Sequence, residues 1–288
     1  MSAPLTDAQR ADYARDGFVV IRGFFSEHEL APLLAAYRCD PTVNGALYGM
    51  QDEQGLPHPI CIWTELGDDM IGMIPRMERM IDATEFLLHD SCYHWHSKLM
   101  VKPQGCQARI DWHQDYYSWY DDGVPFPNLL TVGIAIEPAT LANGCLQVIP
   151  GSHHLGRLEA RDYASFEQRI EHAKQNLGLH YCEMDNGDAV FFHSNTLHGS
   201  DDNQTDSSRL MLFASYNAKS NQPIPGAQGE NVDGYFMNIP PEERRYKIIH
   251  RLADTVLTEQ RFKSAFDHTP FKRPVTRLTG TFQNAVQL

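Results

Sequence analysis

The sequence has few of the features that would place it in a membrane, in a secretory pathway or on nucleic acid. No apolar run approaches the roughly 20 residues needed to span a bilayer, and the N-terminal stretch MSAPLTDAQRADYARDG contains no apolar signal-peptide core. Positive charge is also scarce, because 24 Lys and Arg against 37 Asp and Glu give a formal net charge of -13. Such a surface repels nucleic acid and anionic membranes. We therefore expect a cytoplasmic protein that binds neither.

Cysteine pairs, internal repeats and low-complexity tracts are missing as well. The sequence has six cysteines at irregular spacings, and none of them forms a C-x-x-C pair. This pattern indicates free thiols in a reducing compartment and disfavours a cysteine-based zinc site. The cysteines are Cys39, Cys61, Cys92, Cys106, Cys145 and Cys182.

The length and composition suit a single folded unit. The chain has 288 residues, of which 42% are hydrophobic and 21% are charged, so it can bury a large core. We expect one domain over residues 1–288, with a helical N-terminal part (about 1–91), a β-core (about 92–220) and a C-terminal extension (about 221–288).

Helical patterns dominate the N-terminal part. Residues 6–16 and 26–38 are each preceded or opened by a capping residue and predict helices, with a strand over 18–25 between them. Residues 40–60 are rich in Pro, Gly and Asn, which predicts an irregular loop. Apolar residues at helical spacing predict a helix over 70–91.

From about residue 92 the pattern changes to short strands bounded by turn signals. Many such strands in succession are typical of an all-β sandwich or barrel. A single helix, over residues 163–176, interrupts the series. The predicted strands lie in the segments YHWHSKLMVKP, CQARIDWHQDY, LLTVGIAIEPA, GCLQVIPGSH, GDAVFFHSNTLHGS and RLMLFASYNA.

The segment ARIDWHQDYYSWYDDG contains a His and an Asp two residues apart, His113 and Asp115. Residues i and i+2 of a strand point to the same face, so both side chains can reach one metal ion. The segment HSNTLHGS offers His193 and His198 as candidates for a third ligand. Two histidines and one carboxylate are the ligand set of non-haem Fe(II), and zinc is the chemical competitor. An H-x-D pair alone also fits a surface His–Asp pair.

Further segments accompany this motif in the same order as in a known family. The chain resembles the phytanoyl-CoA dioxygenase family of Fe(II)/2-oxoglutarate oxygenases, almost from end to end. The similar segments are YARDGFVVIRGFFSEHEL, HSKLMVKP, WHQD, NGCLQVIPGSHHLG and NGDAVFFHSNTLHGSDDNQTDSSRLMLFASYN. The resemblance implies a mainly β fold with flanking helices around a double-stranded β-helix, which is a jelly-roll, cupin-like core.

The resemblance also assigns metal ligands. It implies that His113, Asp115 and His198 bind Fe(II), whereas His193 matches no ligand and is expected to be structural. It implies that the iron works with 2-oxoglutarate as cosubstrate and with O2, which makes the chain a hydroxylase that releases succinate and CO2. Because Asp115 is present, halogenation, which needs a small residue at this position in related enzymes, is not expected.

Three residues are implied to hold 2-oxoglutarate. Arg209 lies eleven residues after His198, which is the family's spacing for the arginine that binds the far carboxylate of the cosubstrate. A guanidinium group suits this task because it binds a carboxylate bidentately. Ser200 matches a residue that hydrogen-bonds the cosubstrate, and Lys98 matches a position near it. Lys102 shares the strand face of Lys98, and either lysine also fits a solvated surface position.

The chain departs from the acyl-CoA members of the family. Some of those members carry a tryptophan where this chain has Gly133, so one expected wall of the cosubstrate pocket is missing. The aromatic stretch after the H-x-D motif is more similar to the ectoine hydroxylase branch, in which the residue matching Trp119 lines the substrate pocket. Two other positions of that branch, a glutamine and an asparagine, are His96 and Met100 here.

We therefore expect a small polar substrate, such as an amino-acid-like, ectoine-like or secondary metabolite. The candidate substrate-binding residues are Tyr116, Tyr117, Trp119 and Arg109. The aromatic residues are equally typical of a packed core wall, and Arg109 of a rim ion pair. The alternatives are an acyl-CoA or lipid hydroxylase of the same family, and a cupin-like metal-binding isomerase or sensor without oxygen chemistry.

Overall fold

Two antiparallel β-sheets form the centre of the protein in a computed structural model, which describes residues 5–39, 47–52, 54–158, 163–225 and 245–265. The larger sheet has seven strands in the order β1-β9-β6-β11-β4-β3-β2, and the smaller sheet has four in the order β5-β10-β7-β8. The strands are β1 Phe18–Ile21, β2 Tyr48–Gln51, β3 Pro57–Trp63, β4 Cys92–Lys102, β5 Ile110–His113, β6 Leu129–Ala135, β7 Leu146–Val148, β8 His180–Cys182, β9 Ala189–His193, β10 His198–Ser200 and β11 Arg209–Ala218.

The two sheets enclose a core of apolar side chains that alternate along their strands. Met100, Val148, Phe192 and Phe213 belong to this inner cluster, and all four are buried. The strand order, in which neighbours in space are distant in sequence, is that of a double-stranded β-helix. The predicted fold class, a mainly β jelly roll with flanking helices, is therefore confirmed.

Six helices flank the sheets in the described residues. They are α1 Asp7–Asp16, α2 Glu27–Cys39, α3 Met70–Met73, α4 Glu78–Leu88, α5 Asp115–Asp121 and α6 Tyr163–Leu177. The continuous helix predicted over 70–91 is wrong, because a 3-10 turn over Ile74–Arg76 separates α3 from α4. Pro75 accounts for the break, since proline lacks the N–H that an α-helix interior needs.

The irregular loop predicted over 40–60 contains paired strands in the part that the structure describes. Strand β2 pairs with β3, and β3 pairs with β4, so the N-terminal part extends the larger sheet. Pro57, Pro59 and Gly55 are turn-forming residues, and they hid the alternation of β3. The sheet pairing formed by distant residues overrides this local signal.

The C-terminal extension predicted over about 221–288 is described only up to residue 225 and over 245–265. In the second of these stretches, Leu252 forms a bridge with Met77. Ile249, Leu252 and Phe262 pack against the apolar cluster on the outer side of the larger sheet. This stretch therefore covers the helical side of the molecule.

The state of the cysteines and the lengths of the helices can be read from the structure. All six cysteines are free thiols. No helix among the described residues is both long enough and apolar enough to span a bilayer.

Gly187 allows the turn before β9 to approach the chain after β1. Its φ is +88°, and a Cβ at this position would lie 2.0 Å from the carbonyl oxygen of Phe25. We predict that Gly187→Ala lowers the free energy of unfolding by about 2–4 kcal/mol, because a left-handed backbone and a backbone clash both act. Chemical denaturation measures this change.

Gly178 provides the control for this prediction. Its φ is +85°, but a Cβ there would meet nothing within 4 Å. Gly178→Ala should therefore cost only the conformational part, about 1 kcal/mol. Equal losses for the two variants would show that the contact with Phe25 does not constrain the turn.

Candidate metal centre

Strand pairing brings two histidines together at one end of the smaller sheet. In the antiparallel ladder of β5 and β10, His198 lies directly opposite His113. The two imidazole rings are 4.1 Å apart between centroids. The register shifts immediately after this pair, so the ladder fixes these two residues and then becomes irregular.

Each imidazole is oriented by a backbone carbonyl two residues earlier. The Nδ1–H group of His113 donates to the carbonyl oxygen of Asp111 at 2.7 Å, and the Nδ1–H group of His198 donates to that of Thr196 at 2.9 Å. A carbonyl oxygen only accepts, so Nδ1 carries the proton in both rings. In the neutral form of each ring, Nε2 is then the nitrogen with a free lone pair for a metal ion.

Asp115 completes the cluster from the first turn of α5. Its Oδ1 atom lies 3.7 Å from Nε2 of His113 and 3.8 Å from Nε2 of His198. The expectation that His113 and Asp115 share one strand is wrong, because β5 ends at His113 and Asp115 begins α5. The carboxylate still reaches the histidines because the chain turns inward at this point.

A chain of hydroxyl groups positions the other oxygen of Asp115. The Thr131 hydroxyl on β6 donates to Oδ2 of Asp115 at 3.1 Å, and it is 2.8 Å from the Ser215 hydroxyl on β11. All three side chains are buried. This arrangement leaves Oδ1 directed toward the histidines, and neither hydroxyl residue was anticipated from the sequence.

Electrostatics favours the ligand forms of these side chains. Burial alone would raise the pKa of Asp115, but the charge of Lys98 and the two histidines lower it well below its ordinary value. Burial, together with the neighbouring His113, lowers the pKa of His198 to about 3. A carboxylate and neutral imidazoles are the species that bind metal ions.

The three donor atoms fit one metal ion. The ligand atoms of His113, Asp115 and His198 all lie within 4.8 Å of one another. Two imidazole nitrogens and a carboxylate oxygen on one side of an ion are typical of non-haem Fe(II), with zinc as the alternative. The His113 side chain is 38% exposed, so the cluster is open on that side. Further ligands can therefore approach the ion from there.

Arg209 and Ser200 both have buried polar atoms without a partner. The Arg209 side chain donates from Nη1 to the carbonyl oxygen of Gly144, while its Nε atom has no hydrogen bond. The described residues provide no carboxylate in an ion pair with it. The Ser200 hydroxyl, on the same strand as His198, also lacks a partner. A buried cation without a counter-ion is costly unless an anionic ligand binds it.

The two lysines of β4 have different surroundings. Lys98 is half-buried, with its ammonium 5.4 Å from the centre of the Phe213 ring, and its charge acts on Asp115. Lys102 is buried and donates to the carbonyl oxygens of Ala108 and Asp201, so it is not the solvated lysine that remained possible. Burial and the nearby Arg209 lower the pKa of Lys102 to about 7.

His193 lies away from the metal cluster, as the sequence suggested. Its Nδ1 atom accepts the backbone N–H of Asn195 at 3.0 Å. Its ring packs near His153 and Tyr13. These contacts join β9 to the N-terminal helix, which is a structural role.

The aromatic segment after the motif forms α5. Trp119 is almost fully buried, and its ring lies 5.7 Å from that of His96 on β4. Tyr116 is buried in the same cluster, and its hydroxyl donates to the carbonyl oxygen of Val124. Tyr117 is half-buried and stacks under the guanidinium of Arg157 at 4.6 Å. The cluster therefore contains both a packed wall and a more accessible face at Tyr117.

Arg109 lies at the rim, just before β5 begins. Arg109 precedes the strand, which starts at Ile110, so it does not belong to a regular strand with His113. Its side chain is half exposed and is 3.5 Å from Asp202. It lines a polar pocket of about 420 Å³ between β5, β10 and α6, together with Asp111 and Ser200.

Phe213 fills the place of the pocket wall that some family members build with a tryptophan at the position of Gly133. Gly133 pairs with Phe213 across β6 and β11. A Cβ at position 133 would lie 2.7 Å from Cε1 of the Phe213 ring. The phenyl ring therefore occupies the space into which a larger residue at position 133 would project.

Comparisons with known proteins show a similar family and similar relatives. The family model described as phytanoyl-CoA dioxygenase (PhyH) matches residues 70–211. The chain is 28% identical over 239 residues to the ectoine dioxygenase of Sphingopyxis alaskensis, covering 76% of this chain and 78% of that protein. It is 26% identical over 248 residues to the L-proline trans-4-hydroxylase of Streptomyces griseoviridis, covering 77% and 90%.

Solved structures of EctD from S. alaskensis have the same fold. The structure with bound Fe has a TM-score of 0.66 at 27% identity and covers 77% of this chain and 80% of that one. The structure with 2-oxoglutarate and 5-hydroxyectoine has a TM-score of 0.72 at 24% identity and covers 88% and 89%.

The hydroxyl of Thr131 is expected to strengthen metal binding through Asp115. We predict that Thr131→Val weakens Fe(II) binding by about 10- to 100-fold, because the carboxylate loses the donor that orients it. Anaerobic titration with Fe(II) measures the dissociation constant. Thr131→Ser, which keeps the hydroxyl, should stay close to wild type. Unchanged binding in the valine variant would show that the bond does not support the metal.

Proposed function

We propose that the chain belongs to the phytanoyl-CoA dioxygenase family, whose model matches residues 70–211. It is an Fe(II)- and 2-oxoglutarate-dependent dioxygenase that hydroxylates an unactivated C–H bond of a small zwitterionic metabolite. The observation that carries this proposal is that the cluster of His113, Asp115 and His198 lies in the same jelly-roll core as the unpaired cation of Arg209. The cluster provides ligands for a metal ion, and the arginine provides a partner for a carboxylate.

His113, Asp115 and His198 would hold the iron, and the cluster is open to other ligands at the exposed side of His113. When bound, iron and 2-oxoglutarate activate O2, so that succinate and CO2 are released and a C–H bond is hydroxylated. The protein fixes the ligands in advance, since both imidazoles are held by carbonyl groups and Asp115 by Thr131. No reorganisation of these side chains is then needed at the moment of reaction.

Arg209 would bind the far carboxylate of 2-oxoglutarate, with Ser200 as a second donor. Both residues are buried and both have polar atoms that lack partners. A charge-assisted hydrogen bond from a guanidinium is stronger than a neutral one, and its geometry selects a carboxylate. Lys98 lies between this region and Asp115 on β4, where its charge favours anionic ligands.

The aromatic helix after the motif is the proposed substrate wall. Trp119 and Tyr116 supply its buried part, and Tyr117 supplies a more accessible ring. An aromatic face attracts a cationic nitrogen. Arg109 at the rim would attract the carboxylate of a zwitterion as it enters.

The relatives favour the same substrate class. Ectoine and L-proline, which the names of two relatives give as substrates, are both small cyclic zwitterions. The formal net charge of -13 disfavours a polyanionic acyl-CoA. The same charge disfavours a nucleic-acid partner. The six free thiols fit a reducing compartment, so we propose a cytoplasmic location.

The proposal is tested by an anaerobic titration with Fe(II) and 2-oxoglutarate that follows the weak visible charge-transfer band of the chelate. A panel of cyclic imino acids, other amino acids, betaines and acyl-CoAs is then added. We expect the band to form and to shift with one of the small zwitterions, which should also stimulate succinate release. A shift with an acyl-CoA alone would overturn the substrate class. No band in iron-loaded protein would overturn the cosubstrate.

Removal of a metal ligand should abolish turnover. We predict that His198→Ala loses iron-dependent succinate formation by at least about 1,000-fold, because two ligands do not hold Fe(II) in place. His193→Ala serves as the control, since that imidazole lies outside the cluster, and folded protein of this variant should still bind Fe(II). Retained turnover in the His198 variant would contradict the ligand assignment.

Loss of the arginine should affect 2-oxoglutarate specifically. We predict that Arg209→Leu raises the KM for 2-oxoglutarate by about 100-fold or more, because the carboxylate loses a buried charged partner. Steady-state succinate release measures this change. Fe(II) affinity should stay within about threefold of wild type. An unchanged KM would place the far carboxylate elsewhere.

A further inference from the structure

His58 is a buried histidine whose ring nitrogens both lack hydrogen-bond partners. It lies on β3, where it shares the inward face with Ile60 and Ile62, and these two residues belong to the core between the sheets. The residue is 1% exposed, and neither Nδ1 nor Nε2 has a partner. Buried polar atoms are nearly always paired, so two unpaired nitrogens in one ring require an explanation.

Strand register places His58 beside the proposed carboxylate anchor. In the ladder of β3 and β4, Ile60 pairs with Met100, so the same register continued by two residues brings His58 opposite Lys102. In the next ladder, Lys102 pairs with Arg209. Strands lie about 4.8 Å apart, so these three basic side chains form a row across three neighbouring strands. The row lies on the inner face of the larger sheet.

The charged groups near His58 make no hydrogen bond with its ring. Lys102 donates to the carbonyl oxygens of Ala108 and Asp201 and has no acceptor to offer. Asp52 is the acidic group whose charge reaches His58. Its Oδ1 atom accepts the backbone N–H groups of Gln54 and Leu56, and its Oδ2 atom accepts that of Arg109.

The charge balance around His58 favours an anion. Burial and the nearby cations of Lys102 and Arg209 lower the pKa of His58 to about 3. The imidazole is therefore neutral and has one N–H group to donate. A carboxylate that enters a buried site needs several donors, because each oxygen accepts about two hydrogen bonds.

We propose that His58 donates a hydrogen bond to the far carboxylate of 2-oxoglutarate, beside Arg209. This inference rests on the proposed function, since it assumes that 2-oxoglutarate binds at Arg209. The cosubstrate would then pair both the unbonded Nε atom of Arg209 and one nitrogen of His58. His58 is thus a further binding residue, contributed by a strand that lies outside the segment matched by the family model.

The unpaired ring makes a distinctive prediction about stability. Replacing a buried polar group that has no partner by an apolar one of similar size removes a cost from the free protein. His58→Leu should therefore unfold at the same temperature as wild type or at a higher one. If His58 only stabilised the fold, His58→Leu would unfold at a lower temperature than wild type.

The test measures binding with His58→Leu and with His58→Gln, which keeps an N–H donor. Anaerobic titration of each iron-loaded protein follows the chelate band with 2-oxoglutarate and with 2-oxopentanoate, which has the same length but no far carboxylate. We expect His58→Leu to weaken 2-oxoglutarate binding by about 10-fold or more, and His58→Gln to weaken it less. Binding of 2-oxopentanoate and of Fe(II) should be unchanged in both variants.

The outcomes separate this inference from the proposed function. If wild-type protein forms a chelate and His58→Leu binds 2-oxoglutarate equally well, the role of His58 is overturned while the cosubstrate stands. Equal weakening of both oxo acids also overturns it, whatever the unfolding temperature, because the effect is then structural. No chelate in iron-loaded wild type overturns the proposed function, and this inference with it. Should His58→Leu fail to fold, His58→Gln decides through the same pair of ligands.

Discussion

The pairing of β5 with β10 is the interaction on which the site depends. It sets His198 opposite His113 in an antiparallel ladder, and each imidazole is then fixed by the carbonyl group two residues earlier in the chain. Asp115 follows β5 immediately, so the same ladder also determines where the carboxylate lies. A shift of one residue in this register would turn one histidine to the outer face of the sheet and separate it from the other ligands.

The space between the two sheets has a metal-binding region and a basic region. This arrangement suits a ligand whose two ends differ. The metal-binding region contains two imidazoles and one carboxylate, whose donor atoms together favour a cation. The other region contains Arg209, Lys102 and the unpaired ring of His58, which favour an anion. 2-Oxoglutarate has a chelating oxo-acid group and a far carboxylate, so its polarity matches this arrangement. Unpaired donors in the free protein are the cost of a site that is formed before its ligand arrives.

Two inner walls show how packing adapts to the residues that the chain has. Gly133 leaves room on β6, and the ring of Phe213 from the neighbouring strand occupies it. On the other side, Trp119 packs against His96, so the aromatic helix is anchored in the core rather than lying over the site as a free lid. The substrate wall is therefore rigid at Trp119, and Tyr117 is its more accessible part.

Alternation and turn signals in the sequence by itself predicted the strands of the β-core and the paired candidates His113 and Asp115, because these signals are local in the chain. The jelly-roll fold class and the choice of His198 as third ligand came from the resemblance to a known family. The sequence did not reveal β2 and β3, where prolines concealed the pattern, nor the helix that begins at Asp115. Only the tertiary structure showed the bond from Thr131 to Asp115 and the place of His58 beside Lys102 and Arg209. These contacts join different elements of the fold, so strand register and the packing of α5 decide which residues meet.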